Sequence, residues 1–112
     1  MIIRGRTCFF LLMAIAGSID SSAQTFGEIT GTVTDSSGAA AAGVSVTLLN
    51  AATSQARKVS TNEAGNYTVP FVPPGVYEVS VAKGGFKSAT QREVRVQVAD
   101  SVRVNFTIEV GD

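Results

Sequence analysis

Apolar residues recur at every second position along most of this chain, and that spacing restricts the fold more than any other feature. From Glu28 onward, short runs place apolar side chains on alternate residues, as strands with one buried and one wet face require. Ile29 and Val33 alternate with Thr30, Thr32 and Thr34, and Val44, Val46 and Leu48 with Ser45 and Thr47. A shorter run, 57–61, is centred on Val59. Tyr67, Val69 and Phe71 share one face of the next run, and Tyr77, Val79 and Val81 one face of the run after it, with Glu78 and Ser80 opposite. The last two runs are Val94, Val96, Val98 and then Val102, Val104, Phe106, Ile108, Val110, the longest. Seven strands are predicted. No stretch has the i, i+3, i+4 repeat of an amphipathic helix, and Ala39–Ala42, between Gly38 and Gly43, is too short to nucleate one.

Turn residues separate these runs. Asp35-Ser36-Ser37-Gly38 ends the first, because Asp bonds the backbone just ahead of it and Gly tolerates positive φ. Thr61-Asn62-Glu63-Ala64-Gly65-Asn66 forms a second reversal and Val72-Pro73-Pro74-Gly75 a third. Pro70 falls inside a strand-like run; lacking a donor for the ladder, it points to an edge strand or a bulge. Gly84-Gly85-Phe86 reads as a loop in which Phe86 folds back to cap the core. Short strands with turn signals at this spacing describe an all-β, seven-stranded Greek-key β-sandwich.

The segment ahead of the strands has another character. Residues 1–23 carry Arg4 and Arg6, then the apolar run Cys8–Ala16, then the small residues Ser21-Ser22-Ala23. That order matches a cleavable signal peptide, with cleavage expected between Ala23 and Gln24. A membrane anchor needs about 20 apolar residues, and Gly17, Ser18 and Asp20 interrupt the run too soon. Cys8, the only thiol, stands at the start of the apolar run, not after it, and is expected to leave with the leader, so it is not read as a lipid-bearing cysteine. The 112 residues hold nine Lys+Arg, nine Asp+Glu and no His. The leader removes two basic residues and one acidic residue, so residues 24–112 carry a net charge of −1. Such a balance gives no electrostatic footprint for nucleic acid. Without His or a retained Cys, the usual parts of a zinc site, a catalytic triad or a disulfide framework are missing too. An exported, non-catalytic globular domain without a cofactor is the expectation from residue chemistry.

The order Gly31-x-Val33-x-Asp35-x-x-Gly38, Gly43-Val44-x-Val46-x-Leu48, Thr61-Asn62-x-x-Gly65-x-Tyr67-x-Val69, Val72-Pro73-Pro74-Gly75-x-Tyr77-x-Val79-x-Val81 and Gly85-Phe86 resembles the carboxypeptidase regulatory-like domain. This family sits in the transthyretin-like and Cna B-type group of prealbumin-like sandwiches, and the likeness covers about residues 27–110. It implies a structural motif made of Asp35, Gly38, Gly43, Asn62, Gly65, Tyr67, Pro73, Pro74, Gly75, Tyr77, Gly85 and Phe86. A signal peptide followed directly by this module further resembles the N-terminal extension of bacterial TonB-dependent outer-membrane receptors, in which a plug and barrel follow. The resemblance thus implies a periplasmic or outer-membrane setting, with the chain either a fragment of such a receptor or a free-standing secreted protein.

The resemblance and the residues raise three chemistries. A Lys–Asn isopeptide bond of the Cna B type would use Asn105 with Glu78 as acid, but the first strand has no Lys and both residues are out of phase with the core. Calcium would use Asp35, Asn62, Glu63 and Asn66, all of which turn chemistry already explains. For carbohydrate, Tyr67, Phe71, Tyr77 and Phe106 are in phase with core valines, which leaves Phe26 and Phe86 as surface rings. Two Asn-x-Thr sequons, at Asn66 and Asn105, matter only in a glycosylating host. The expected function is a non-catalytic accessory domain that docks an envelope protein or spaces the rest of a receptor, with an edge strand over Val102–Val110 as the docking candidate. The alternative is a secreted carbohydrate-binding or adhesin-type module.

Overall fold

The computed structural model describes residues 25–111, so the expected leader, 1–23, and its cleavage point between Ala23 and Gln24 lie outside the described residues. Within this span the alternating runs form eight strand segments: β1 (Gly27–Asp35), β2 (Ser45–Asn50), β3 (Ala56–Ser60), β4 (Asn66–Val72), β5 (Gly75–Ala82), β6 (Ala89–Val96), β7 (Ser101–Arg103) and β8 (Phe106–Ile108). No helix occurs among the described residues. One sheet has the order β4-β1-β7, with β8 also on β1, and the other the order β3-β2-β5-β6. β2 and β3 form a hairpin, β4 crosses to pair antiparallel with β1, and β5 returns to pair with β2, which is the Greek-key path. β7 and β8 run parallel to β1.

The core follows from the period-two pattern. Ile29 and Val33 point inward from β1 and Val46 and Leu48 from β2, while Val69, Val79, Val81 and Ile108 fill the space between the sheets. Each fully buried aliphatic side chain of this kind contributes roughly 1.5–3 kcal/mol relative to leaving it in water. On β1 the outward positions are Thr30, Thr32 and Thr34, all half-buried.

In three places the strands depart from the expected pattern. On β4, Gly27 pairs with Val72 but Ile29 with Val69, so Pro70 and Phe71 together oppose one residue of β1. Pro70 therefore sits at a bulge on an edge strand, as its missing N–H requires. The bulge shifts the phase: Val72 turns into the core, and Phe71, expected inside, is 70% exposed with φ 55°. The sixth strand begins at Ala89 rather than near Val94, because residues 90–93 of this edge strand are exposed and leave no alternation to read. Val98, expected in that strand's apolar face, is instead exposed in a turn where the Asp100 amide donates to the Gln97 carbonyl at 3.1 Å.

The third departure is the last run, expected to be one long strand. It stays in phase, with Val104, Phe106 and Ile108 buried, but its ladder to β1 breaks between β7 and β8, and Val110 is exposed beyond it. The Val104 amide donates to Thr30 O at 2.8 Å. In a regular parallel ladder the Val104 carbonyl would then accept from the Thr32 amide. Here it accepts from the Tyr67 hydroxyl at 2.5 Å, and the Thr32 amide turns to Asn105 Oδ1 at 2.9 Å. Gly31 makes the exchange possible, since a Cβ there would lie 1.8 Å from Val104 O and 2.7 Å from the Tyr67 hydroxyl.

Two outcomes follow from this arrangement. Tyr67→Phe strands a buried carbonyl and is expected to lower stability by about 1–3 kcal/mol, while Gly31→Ala, whose Cβ meets backbone, should cost more; urea unfolding measures both. Burial pushes the Tyr67 phenol up to about 12 from 10, with Arg103 pulling weakly the other way. The native state therefore holds a proton that the unfolded state has lost, and this share of stability declines as pH rises from about 10 through about 12. Y67F should lack that component, seen as a smaller alkaline loss of stability than in the wild type.

Candidate functional site

The sandwich has two unlike ends. At one lie the end of β1, the starts of β2 and β4, and the turns that carry most of the motif residues. Asp35 Oδ1 accepts from the Ser37 amide at 2.9 Å, the Ser37 hydroxyl at 2.6 Å and the Ala39 amide at 3.1 Å, which lets the chain reverse at Gly38 (φ 90°). The Ser37 hydroxyl and the Ala39 amide are the main reasons that the Asp35 carboxyl lies below its usual value. Asn62 Oδ1 caps the next turn by accepting from the Ala64 and Asn66 amides, each at 2.9 Å. Gly65 passes beneath β1 with φ 78°, where a Cβ would sit 2.5 Å from Val33 O. Thr61, which the alternation did not single out, is buried and ties the two turns together. Its hydroxyl donates to Ala41 O at 2.7 Å and accepts from the Val44 amide at 2.9 Å, alongside Gly43. Gly85 (φ 85°) and Phe86 complete this end: Phe86 bridges Val110 and packs half-buried against the core, beneath Lys83 at 6.0 Å.

These contacts show where the residues named for calcium and for an isopeptide bond lie. Asp35 Oδ1 and Asn62 Oδ1 accept from their own turns, and Asn66 Oδ1 accepts from the Thr32 hydroxyl at 2.8 Å. Among the described residues no group of three His, Cys, Asp or Glu side chains could hold a metal ion. Asn105 replaces a ladder bond to Thr32, whereas Glu78 lies in the other sheet, 3.6 Å from Arg92. The two residues offered for an isopeptide bond are thus not brought together.

The opposite end is less stitched and more apolar. Here β1 begins, β4 ends, and the Val72-Pro73-Pro74-Gly75 corner leads into β5; the Tyr77 hydroxyl secures that corner by donating to Pro73 O at 2.6 Å. Phe26, 44% exposed, meets the exposed Phe71 edge-to-face, with ring centroids 6.1 Å apart and planes at 82°. Arg57 Nη1 donates to the Phe71 carbonyl at 3.0 Å from the β3 side. Phe71 separates an open cleft of about 480 Å³, lined by Phe26, Glu28, Pro70, Asp100 and Ser101 among others, from a smaller one of about 200 Å³ that includes Asn50, Gln55 and Arg57. Of the two rings expected at the surface, Phe26 lies at this end and Phe86, half-buried, at the other, and the ring beside Phe26 is Phe71. Pro70 was the signal for this: once it is read as a bulge, the next residue changes face.

The fold is a two-sheet Greek-key β-sandwich whose first and last strands pair in parallel. The chain belongs to the carboxypeptidase regulatory-like domain family, which it matches over residues 28–109. No curated protein matches it. Solved structures of similar fold include the Bacillus anthracis TIE protein, at 14% identity and TM-score 0.66, covering 77% of this chain and 17% of that one. The group B streptococcus pilus 2b backbone protein is similar at 18% identity and TM-score 0.58, covering 77% and 42%. The 3-chlorocatechol 1,2-dioxygenase of Rhodococcus opacus is similar at 16% identity and TM-score 0.59, covering 83% and 63%. The chain spans less than two thirds of each, and at these identities the likeness is one of fold. The regulatory-like domain is non-catalytic as a family.

The turn end generates a stability prediction. Asn62→Ala removes two bonds at an exposed cap and should cost about 1 kcal/mol. Gly65→Ala forces a left-handed residue against Val33 O and should cost more. Thermal melts of the two variants, ranked against the wild type, check the order.

Proposed function

We propose that this chain is an exported accessory module, carried ahead of the plug and barrel of a TonB-dependent outer-membrane receptor, where it spaces and docks. The observation that supports this best is the parallel pairing of β1 with β7 and β8. Chain enters the sandwich at the Phe26 end and leaves it past Ile108 at the turn end, so the module sits in line with whatever it joins. Nine residues of β1 at about 3.3 Å each give a stiff step of about 30 Å. The leader-like segment directly ahead of the family match at residue 28 supports export.

Docking by strand addition has less support than the sequence suggested. The last run is an edge, but only in two three-residue pieces. β4 carries Pro70 and a bulge, and β6 has a bulge between its Tyr77 and Val79 partners, with Glu93 at φ 56°. Such interruptions are how edges avoid unwanted pairing. β3 is the edge with unbroken register, and it is short and presents Arg57 and Lys58. Docking through an end of the sandwich fits these edges better.

Deleting residues 24–112 from a receptor that carries this module is expected to leave barrel insertion intact and to impair uptake or partner capture. Unchanged uptake together with unchanged pull-downs would sink the proposal.

A further inference from the structure

Phe71 is an expensive residue where it stands. A bulky side chain at φ 55° costs more than glycine or asparagine would, and its ring gains little burial in return. The bulge itself needs no phenylalanine: it serves to turn Val72 into the core, and the Arg57 contact is to the Phe71 backbone. What the side chain adds is an exposed ring, set edge-to-face against a second exposed ring, at the mouth of a cleft.

The rest of the cleft narrows the chemistry. Its charged lining residues are Glu28 and Asp100, both acceptors, with the Ser101 hydroxyl donating to Glu28 at 2.9 Å. Anionic ligands would be repelled there, and hydroxyl donors accommodated. Beyond Glu28 the outer face of the sheet continues with Thr30 opposite Thr68 and Thr32 opposite Asn66 on the β4 side, and with the exposed Arg103 of β7 paired to Thr30 on the other. Because Asn66 Oδ1 accepts from Thr32, what this exposed side chain has left to offer is its amide N–H donors. β1 has partners on both sides, so its own backbone offers nothing for a peptide strand to join, and the free edge of β4 is interrupted by Pro70 and its bulge.

We propose that the cleft between Phe26 and Phe71 binds a neutral oligosaccharide, with the C–H face of a sugar ring stacked on Phe71 and hydroxyls bonded to Glu28, Asp100, Ser101 and the Thr30–Thr68 row. Aromatic stacking supplies apolar contact, and a few placed polar groups orient the ligand, the usual division of labour in such sites. This reading is independent of the in-line role proposed above.

The test is a titration of ¹⁵N-labelled protein with neutral hexasaccharides of α-1,4-glucan, β-1,4-glucan, β-1,4-xylan and β-1,4-mannan, with hexagalacturonate and hexalysine as charged probes. At least one neutral hexasaccharide should saturably shift the amides of Phe26, Glu28, Phe71 and Ser101, while hexagalacturonate does not. Phe71→Gly separates binding from folding, because glycine suits the left-handed backbone. It should melt no lower than the wild type yet bind at least tenfold more weakly, and Phe26→Ala should also weaken binding. Three results would overturn the proposal: no neutral hexasaccharide moves these amides, F71G binds as the wild type does, or hexalysine alone moves them, which would make the cleft a site for a basic protein.

Discussion

The Tyr67 hydroxyl reaches the Val104 carbonyl only because nothing projects from Gly31. That short bond joins three strands at one point: β4 supplies the donor, the last run the acceptor, and β1 the gap between them. It also breaks the ladder it crosses, since the carbonyl it takes is the one a regular parallel pairing would have given to Thr32. Asn105 then supplies a side-chain oxygen in its place, so no backbone donor is abandoned. The split of the last strand into β7 and β8 is thus the geometric result of burying a tyrosine with its hydroxyl satisfied, and the burial raises the phenol's affinity for its proton.

From this point the molecule divides into a stitched end and a bare end. Asp35, Thr61 and Asn62 each hold two or more bonds at the stitched end, with glycines where the backbone must turn left-handed or pass close beneath β1. Most of the residues by which the family is recognised lie here, and their chemistry is spent on backbone. At the bare end a proline corner and a bulge leave two phenylalanines in water.

Fold class was readable because alternation and turn chemistry agree: buried valines at every second residue, with Asp-x-x-Gly, Asn-x-x-Gly and Pro-Pro-Gly between the runs. Where reading failed, a local rule overrode the period. Phe71 lay in phase with Tyr67 and Val69, and the bulge at Pro70 turned it out. Residues 90–93 form strand without a buried face, so they carried no pattern. The break at Val104 depends on a contact with Tyr67, far away in sequence, which no local spacing encodes. Thr61 was legible only as a turn residue, because its role as a buried link needs Ala41 and Val44 brought beside it. The aromatic pair was half legible: Phe26 was expected at the surface, and its partner was not.

The parallel pairing of β1 with the last run also fixes how the domain meets tension. A pull between the entering and leaving chain drags β1 along β7 and β8 in opposite directions, so the bonds from Glu28 to Asp35 share the load and must yield together instead of one at a time. Tyr67 and Asn105 brace the middle of that interface, where the backbone ladder is interrupted. A domain threaded this way resists as a clamp in shear, whereas the same bonds pulled from one end of a hairpin would open as a zipper.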